Sequence, residues 1–452
     1  MARCGSGVHR RSAWLLQVWL VLGPAVTAIP AASVTTMSAG TAPNAFYDYQ
    51  RAAVALVDQG AINRAFDRPT RYGRNPFGPS RLTAVRGAGK ASVTPKTIAA
   101  LVARNARALR WLRTALEHPY RNPDATVPRF PYSRHRSLAK IALLRGDTLQ
   151  GRGDLRGALS AYLDVVEMGI QTGRGETVIG ALVARAVERI GVSRVEPLVG
   201  RLPRVLLLAA VRRLERIDER RGSAAEVLVA EGRFATNQVC GDLARFDAGG
   251  RAIRPSVSPL DEDEDGEGGA SDLLLGFLIA TIGKDRMVRA HEATVRDRVG
   301  QTLRPFALRD RAAFGKGASG VARALLTDPY GFQTSDLVES VWCSLEASRA
   351  ALRLFTVRLA LRAYYLDHKS YPEGLPALVP TYLRAAPHDP FAERTPLLYR
   401  RAGAKYVLYS VGPDGRDDGG RPLCGTESTD TSSSQRVQVE SLGDQVDGVT
   451  QP

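Results

Sequence analysis

Any chemistry in this chain must come from a few scattered residues. Asp261, Asp263 and Asp265, with Gly266 next and Asp272 at the twelfth position, carry the spacing with which an EF-hand loop wraps oxygens around Ca2+. Three details speak for a plainer reading. The twelfth residue is the shorter Asp, the eighth is Gly268 rather than an apolar residue, and Pro255 and Pro259 stand where a helix should enter. A solvated linker of like charges that repel one another accounts for the run. His291-Glu292 is followed by Val295 where a zinc-protease helix needs its second histidine, so that motif fails. The stretch Gly315-Lys316-Gly317-Ala318-Ser319-Gly320 lacks both the phosphate-loop spacer and the Gly-x-Ser-x-Gly elbow, and is expected to be a flexible loop. That leaves His118, His135, Glu292 and His388, which a hydrolase could use only by assembling distant segments into one site.

The 452 residues, 44% hydrophobic and 24% charged, suffice for two or three domains with cores of their own. A net charge of +16 would suit nucleic acid if it were clustered. It is scattered: Arg212, Arg213, Arg216, Arg220 and Arg221 alternate with Glu215, Asp218 and Glu219 in one helical stretch. A salt-bridged, solvated surface is therefore expected, and no nucleic-acid partner.

Arg3, Arg10 and Arg11 precede an apolar run from Ala13 to Leu22, then Gly23-Pro24 and the small residues Ala28, Ala31 and Ala32. This order matches a secretory signal peptide over residues 1–32, with cleavage after Ala28 or Ala32 favoured and retention as an N-terminal anchor left open. Export places the chain in a periplasm or cell envelope, where two of Cys240, Cys343 and Cys424 could pair; spacing does not choose which.

Residues 44–250 show helical periodicity. Thr94-Pro95 opens a helix whose apolar set is Ile98, Leu101, Val102, Ala106, Leu109 and Leu112. Farther on, Leu144-Arg145-Gly146-Asp147-Thr148-Leu149 leads through Gly153-Asp154 to Leu155-Arg156-Gly157-Ala158-Leu159-Ser160-Ala161-Tyr162. Gly146 and Leu149 on the first helix should face Ala158 and Tyr162 on the second, so that the two cross closely. This hairpin, residues 135–170, resembles a tetratricopeptide repeat, although Ala142 replaces its early aromatic and no clean second copy follows. One hairpin cannot bury its face alone, so it is expected to pack with 178–190 and 205–217, either as an irregular solenoid or as a generic bundle. An acidic linker (251–272) and a helical continuation (273–337) follow.

Residues 338–424 read as a small α+β unit. A long amphipathic helix from Val338 to Asp367 carries Leu345, Leu352, Phe355, Leu359, Ala363 and Leu366; with Arg349, Arg353, Arg358 and Arg362 it holds too many cations to face lipid and should lie against protein. Asp389-Pro390-Phe391 should make an Asx-type turn into a hairpin of 397–401 and 406–411. The helix ending Tyr364-Tyr365-Leu366, Ser370-Tyr371-Pro372, Leu378-Val379, Asp389-Pro390-Phe391 and Ser410-Val411-Gly412-Pro413-Asp414-Gly415 recur in the order that resembles the globular head of the type II secretion major pseudopilin, protein G. The resemblance implies a Ca2+ loop in which Asp414 matches the first acid and Asp417 and Asp418 contribute by proximity. No prepilin processing site opens the helix, which puts assembly by the pilin route in doubt. The tail, 425–452, is expected to be disordered.

The expectation is thus a mainly α chain with a small C-terminal α+β module. Its expected role is that of a non-enzymatic exported scaffold or adaptor among other envelope proteins, touching membrane only through the N-terminal segment if that is uncleaved. An exported hydrolase, or a calcium-stabilised accessory component of a secretion or pilus-like system, are the alternatives.

Overall fold

A computed structural model describes residues 43–66, 94–123, 132–253, 267–302, 304, 331–392, 395–421 and 445–447. The signal segment, the Asp261, Asp263 and Asp265 run, the 315–320 loop and Cys424 lie outside the described residues. The chain is mainly helical, with a small three-stranded antiparallel sheet near its C-terminus.

The first helices are α1 (Ala45–Val54), α2 (Gln59–Phe66), α3 (Pro95–Arg104) and α4 (Ala106–Glu117). Thr94 caps α3, its hydroxyl accepting from Thr97 N at 3.2 Å, with Pro95 at the position where a missing N–H costs least. The single helix expected across residues 95–112 is in fact two. Asn105 breaks it: its buried side chain accepts from Val57 N (3.0 Å) and donates to Leu101 O (2.9 Å), drawing the backbone out of register to tie down the α1–α2 connection.

Next come α5 (Tyr132–Gly151), α6 (Leu155–Thr172), α7 (Val178–Val195) and α8 (Arg204–Glu219). Between α5 and α6, Gly153 takes the left-handed conformation (φ 82°) and Asp154 accepts from Gly157 N at 2.8 Å, starting α6. A β-carbon on Gly146 would sit 2.3 Å from the Tyr162 ring, so these two residues do face one another as their spacing implies. The hairpin packs on α7, and α6 also touches α8.

The chain continues through α9 (Ala224–Leu243), opened by the Ser223/Glu226 capping box, then α10 (Glu267–Ile282), α11 (Lys284–Thr302) and α12 (Gly331–His368). Helix α10 starts inside the stretch expected to be linker. None of the described helices is long and apolar enough to cross a membrane.

After α12 come β1 (Leu398–Ala402), β2 (Lys405–Ser410) and β3 (Gln445–Asp447), in the order β1-β2-β3. Gly403 (φ 62°) makes the tight β1–β2 turn that the sequence indicates. Asp389 builds the entry: its carboxylate accepts from Phe391 N (2.9 Å), Ser410 Oγ (2.7 Å) and Val411 N (2.8 Å), pinning the Asp-Pro turn to the exit of β2. Strand β3 is a correction, because it arises from the tail expected to be disordered.

Helix α12 is not simply amphipathic. Leu352, Leu354, Phe355, Val357, Leu359 and Leu361 are all buried, on more than one side, because body helices lie on one flank and strands on another. Each contributes about 1.5–3 kcal/mol on burial. One hydrophobic cluster runs from Ala45 through Tyr162, Leu207 and Phe355 to Leu408.

Candidate functional site

Two polar assemblies stand out in this apolar stack. The first surrounds Glu176, in the short loop between α6 and α7. Tyr120 Oη and Asn122 Nδ2 both donate to Glu176 Oε1, at 2.7 and 3.0 Å. Both donors belong to the irregular segment after α4, which Asn44 holds by a reciprocal pair of hydrogen bonds to Arg121 (2.8 and 3.0 Å). Around it, Glu231 of α9 accepts from Val178 N at 2.8 Å, satisfying an open donor at the start of α7. Tyr49 donates to Gln171 at 2.9 Å and its ring lies 5.8 Å from that of His135.

Burial sets the electrostatics here. It raises the Glu176 carboxyl to about 7 despite the two hydrogen bonds that favour its charged form, and it raises Glu231 as well. Burial likewise holds His135 well below the usual imidazole range, so that ring is neutral. A carboxyl that titrates near neutrality beside phenols can give and take a proton. The neighbouring void, lined by Tyr132, His135, Thr172 and Gly180, is only about 10 Å³, room for about one water. Through Tyr120 and Asn122 the cluster straps residues 118–123 to the stack.

The second assembly is the seat of α12. Along one side, Arg349 donates to Gly222 O (3.0 Å), and Arg353 to Asp218 Oδ2 (2.7 Å) and His388 O (2.8 Å). Near its C-terminal end, Asp367 accepts from Arg204 at 2.6 Å. About half a helical turn away, Arg358 reaches Glu196 (3.3 Å) and Arg362 reaches Gly200 O (3.5 Å), while Ser348 donates to Glu188 at 3.1 Å and Ser344 bonds Arg185. Contacts to α8 run in opposite sequence directions and those to α7 in the same direction, so α12 lies antiparallel to α8 and parallel to α7, wedged between them. At the centre, Glu188 holds Arg221 with two bonds (3.0 and 2.5 Å), and Arg221 also meets Asp218 (3.3 Å). Burial pushes the Asp218 carboxyl up, but the Arg353 and Arg221 guanidiniums outweigh it and leave it below the usual range. A cavity of about 40 Å³ beside Arg185, Glu188, Arg221 and Arg349 has room for a few waters.

The four residues proposed for a hydrolase go to separate places. His118 Nδ1 meets Asp48 Oδ2 at 2.7 Å, His135 is buried, Glu292 is exposed on α11, and His388 is exposed in the turn before Asp389. Neither cavity is lined by more than one of them. In the C-terminal loop Asp414 accepts from Arg416 N at 3.2 Å, whereas Asp417 accepts from Tyr409 Oη and Gly419 N, both at 2.9 Å; Asp418 follows on the exposed side. Among the described residues, no three His, Cys, Asp or Glu side chains gather as a metal-ligand set. Cys240 is exposed with a free thiol, and Cys343 is buried beside Phe391 and Val411.

Sequence reasoning missed Glu176 and Glu188, and placed Arg221 on a solvated surface although its guanidinium is largely covered where it pairs with Glu188. A glutamate in a short interhelical loop carries no local mark of burial, and the partners of Glu188 lie far along the chain. No family model, curated protein or solved structure matches the chain.

Proposed function

We propose that this chain is a non-enzymatic exported protein of the cell envelope, acting as an interaction scaffold or adaptor. Its helical body is tetratricopeptide-like, and the C-terminal unit built onto it is pseudopilin-like. The observation that carries this reading is the seating of α12 between α7 and α8, held by arginines on two sides while its other flank carries the sheet. A helix so clasped presents the hairpin and its loops at a fixed orientation to the helical stack, which is what an adaptor needs of two recognition surfaces. The Gly146–Tyr162 crossing supports the repeat-like reading of the body, and the Asp389 turn with its hairpin against a long helix supports the reading of the C-terminal unit. Export rests on the arginine-flanked apolar run at residues 3–22.

The test uses the full chain in envelope-producing cells, with a photo-reactive residue at the exposed Ile179 or Val205 of the stack. The expected result is a discrete crosslink to an envelope protein. Absence of any crosslink, together with measurable turnover on a panel of ester, peptide and phosphate substrates, would replace the adaptor with the hydrolase.

A further inference from the structure

Arg107, Arg110 and Arg113 recur at every third position of α4, all exposed, while Ala108, Leu109, Leu112 and Ala115 of the same helix are buried. They form one solvent-facing row, spaced about 4.5 Å apart along the helix axis. The row leads to α5 and α6. Gln171 of α6 donates to Leu116 O of α4 at 3.4 Å, and Arg113 and Asp164 both lie within electrostatic reach of Arg145 of α5, so α4 runs in the same direction as α6. Arg110 and Arg107 therefore extend the row toward the Gly153 turn, whose flanks carry the exposed Arg152 and Arg156. The neighbouring carboxylates are committed to other groups. Asp164 holds Arg213 at 2.7 Å, Asp147 holds Arg194 at 3.6 Å, Asp58 holds Arg104 at 2.7 Å, and Asp154 caps α6. Among the described residues, the guanidiniums of the row and those of Arg145, Arg152 and Arg156 make no hydrogen bond or ion pair.

Arg145 is the centre of this surface because it is half-buried. Burial, and then the charge of Arg113, lower its guanidinium from the usual arginine range against the pull of Asp164 and Asp154. A cation partly stripped of water, beside a like charge and without an acceptor, gains more than an ordinary surface arginine when a carboxylate arrives. We propose that the α4 row, with Arg145, Arg152 and Arg156, is a docking surface for a carboxylate-bearing helix of a partner protein. This rests on the adaptor reading and names the chemistry of its partner. Asp or Glu at every third or fourth position of a helix recur at about 4.5–6 Å, the interval of the α4 cations, and a guanidinium fork takes a carboxylate with two bonds. Exposed Glu117, one turn beyond Arg113, and Asp154, between Arg152 and Arg156, repel an unbroken phosphate polymer, whereas a helix with spaced carboxylates passes between them.

The experiment titrates the full chain into four probes: a fluorescent helical peptide with Glu at alternating third and fourth positions, its Gln counterpart, a DNA duplex, and vesicles of phosphatidylcholine with phosphatidylglycerol. The Glu peptide should bind most tightly, and its affinity should fall as salt is added. Arg113→Gln with Arg145→Gln should weaken that binding at least about fivefold. Arg134→Gln with Arg216→Gln, which removes two exposed cations outside the surface and the same net charge, should leave it within about twofold. The first variant should melt no lower than the wild type, since it removes a desolvated charge and its like-charged neighbour, so a loss of binding is not a loss of fold. Equal binding of the two peptides, equal loss in the two variants, or tighter binding of the duplex or the vesicles than of the Glu peptide each overturns the proposal. The adaptor reading stands or falls separately, on the crosslinks from Ile179 and Val205 of α7 and α8.

Discussion

At Glu176 a charge is held where the interior disfavours it. The folded protein binds the proton of this carboxyl more tightly than the unfolded chain does, with a value of about 7 against 4.5. Its contribution is therefore most favourable at or below pH 4.5, and stability declines as pH rises through about 7. The span amounts to about 3 kcal/mol. Glu176→Gln removes the ionisable group yet keeps a carbonyl oxygen for Tyr120 and Asn122. Its melting temperature at pH 8 should rise by a few degrees, and the slope of stability between pH 5 and 8 should flatten. An unchanged slope in thermal melts across that range would show that another group carries it. None of this was legible in the sequence, because a loop glutamate reads as solvated until Tyr120, 56 residues away, is seen to lie over it. Asp389 is the contrast: its side chain bonds the nitrogen two residues on, a local pattern that Asp-Pro announces.

Helix packing, the next scale up, depends on where side chains are missing. A β-carbon at Gly169 of α6 would lie 2.4 Å from Glu188 N and 2.7 Å from Ala184 O, backbone atoms of α7 that cannot turn aside. Gly169→Ala should therefore cost about 1–3 kcal/mol in spite of alanine's helix preference. Gly151, at the end of α5, has nothing within 4 Å of its added carbon, and Gly151→Ala should stabilise by up to about 1 kcal/mol. Urea midpoints moving in opposite directions, with unchanged slopes, would bear this out. Gly146 opposite Tyr162 could be anticipated because both belong to one hairpin with a recognisable turn. Gly169 could not, since its partner stands on the next helix and no motif links them. The break at Asn105 was hidden for the same reason: the apolar spacing runs straight through it, and only Val57 explains the interruption.

For the whole molecule the decisive fact is a core that does not stop where the body ends. Leu207 of α8, Phe355 of α12 and Tyr406 of β2 belong to one hydrophobic cluster. Unfolding should then be a single transition, with far-ultraviolet dichroism and tryptophan fluorescence coinciding in denaturant. Arg353→Met, which takes from Asp218 the shorter of its two ion pairs and leaves that with Arg221, should lower both midpoints together by about 2 kcal/mol. Two separated transitions would mean that the C-terminal unit stands by itself.

Local order was the sequence's to determine: helical periodicity, the Gly153-Asp154 and Asp389-Pro390 turns, the hairpin at Gly403, and a cation-bearing helix that had to lie against protein. These follow from neighbours within a few positions, whose spacing and backbone preferences act before any distant contact forms. What that helix lies against, the pairing of its arginines with residues 196–222, the burial of Glu176 and the strand from the tail belong to tertiary structure alone. Each joins segments separated by tens to more than a hundred residues, and which distant pairs meet is decided by how the whole chain buries its apolar surface.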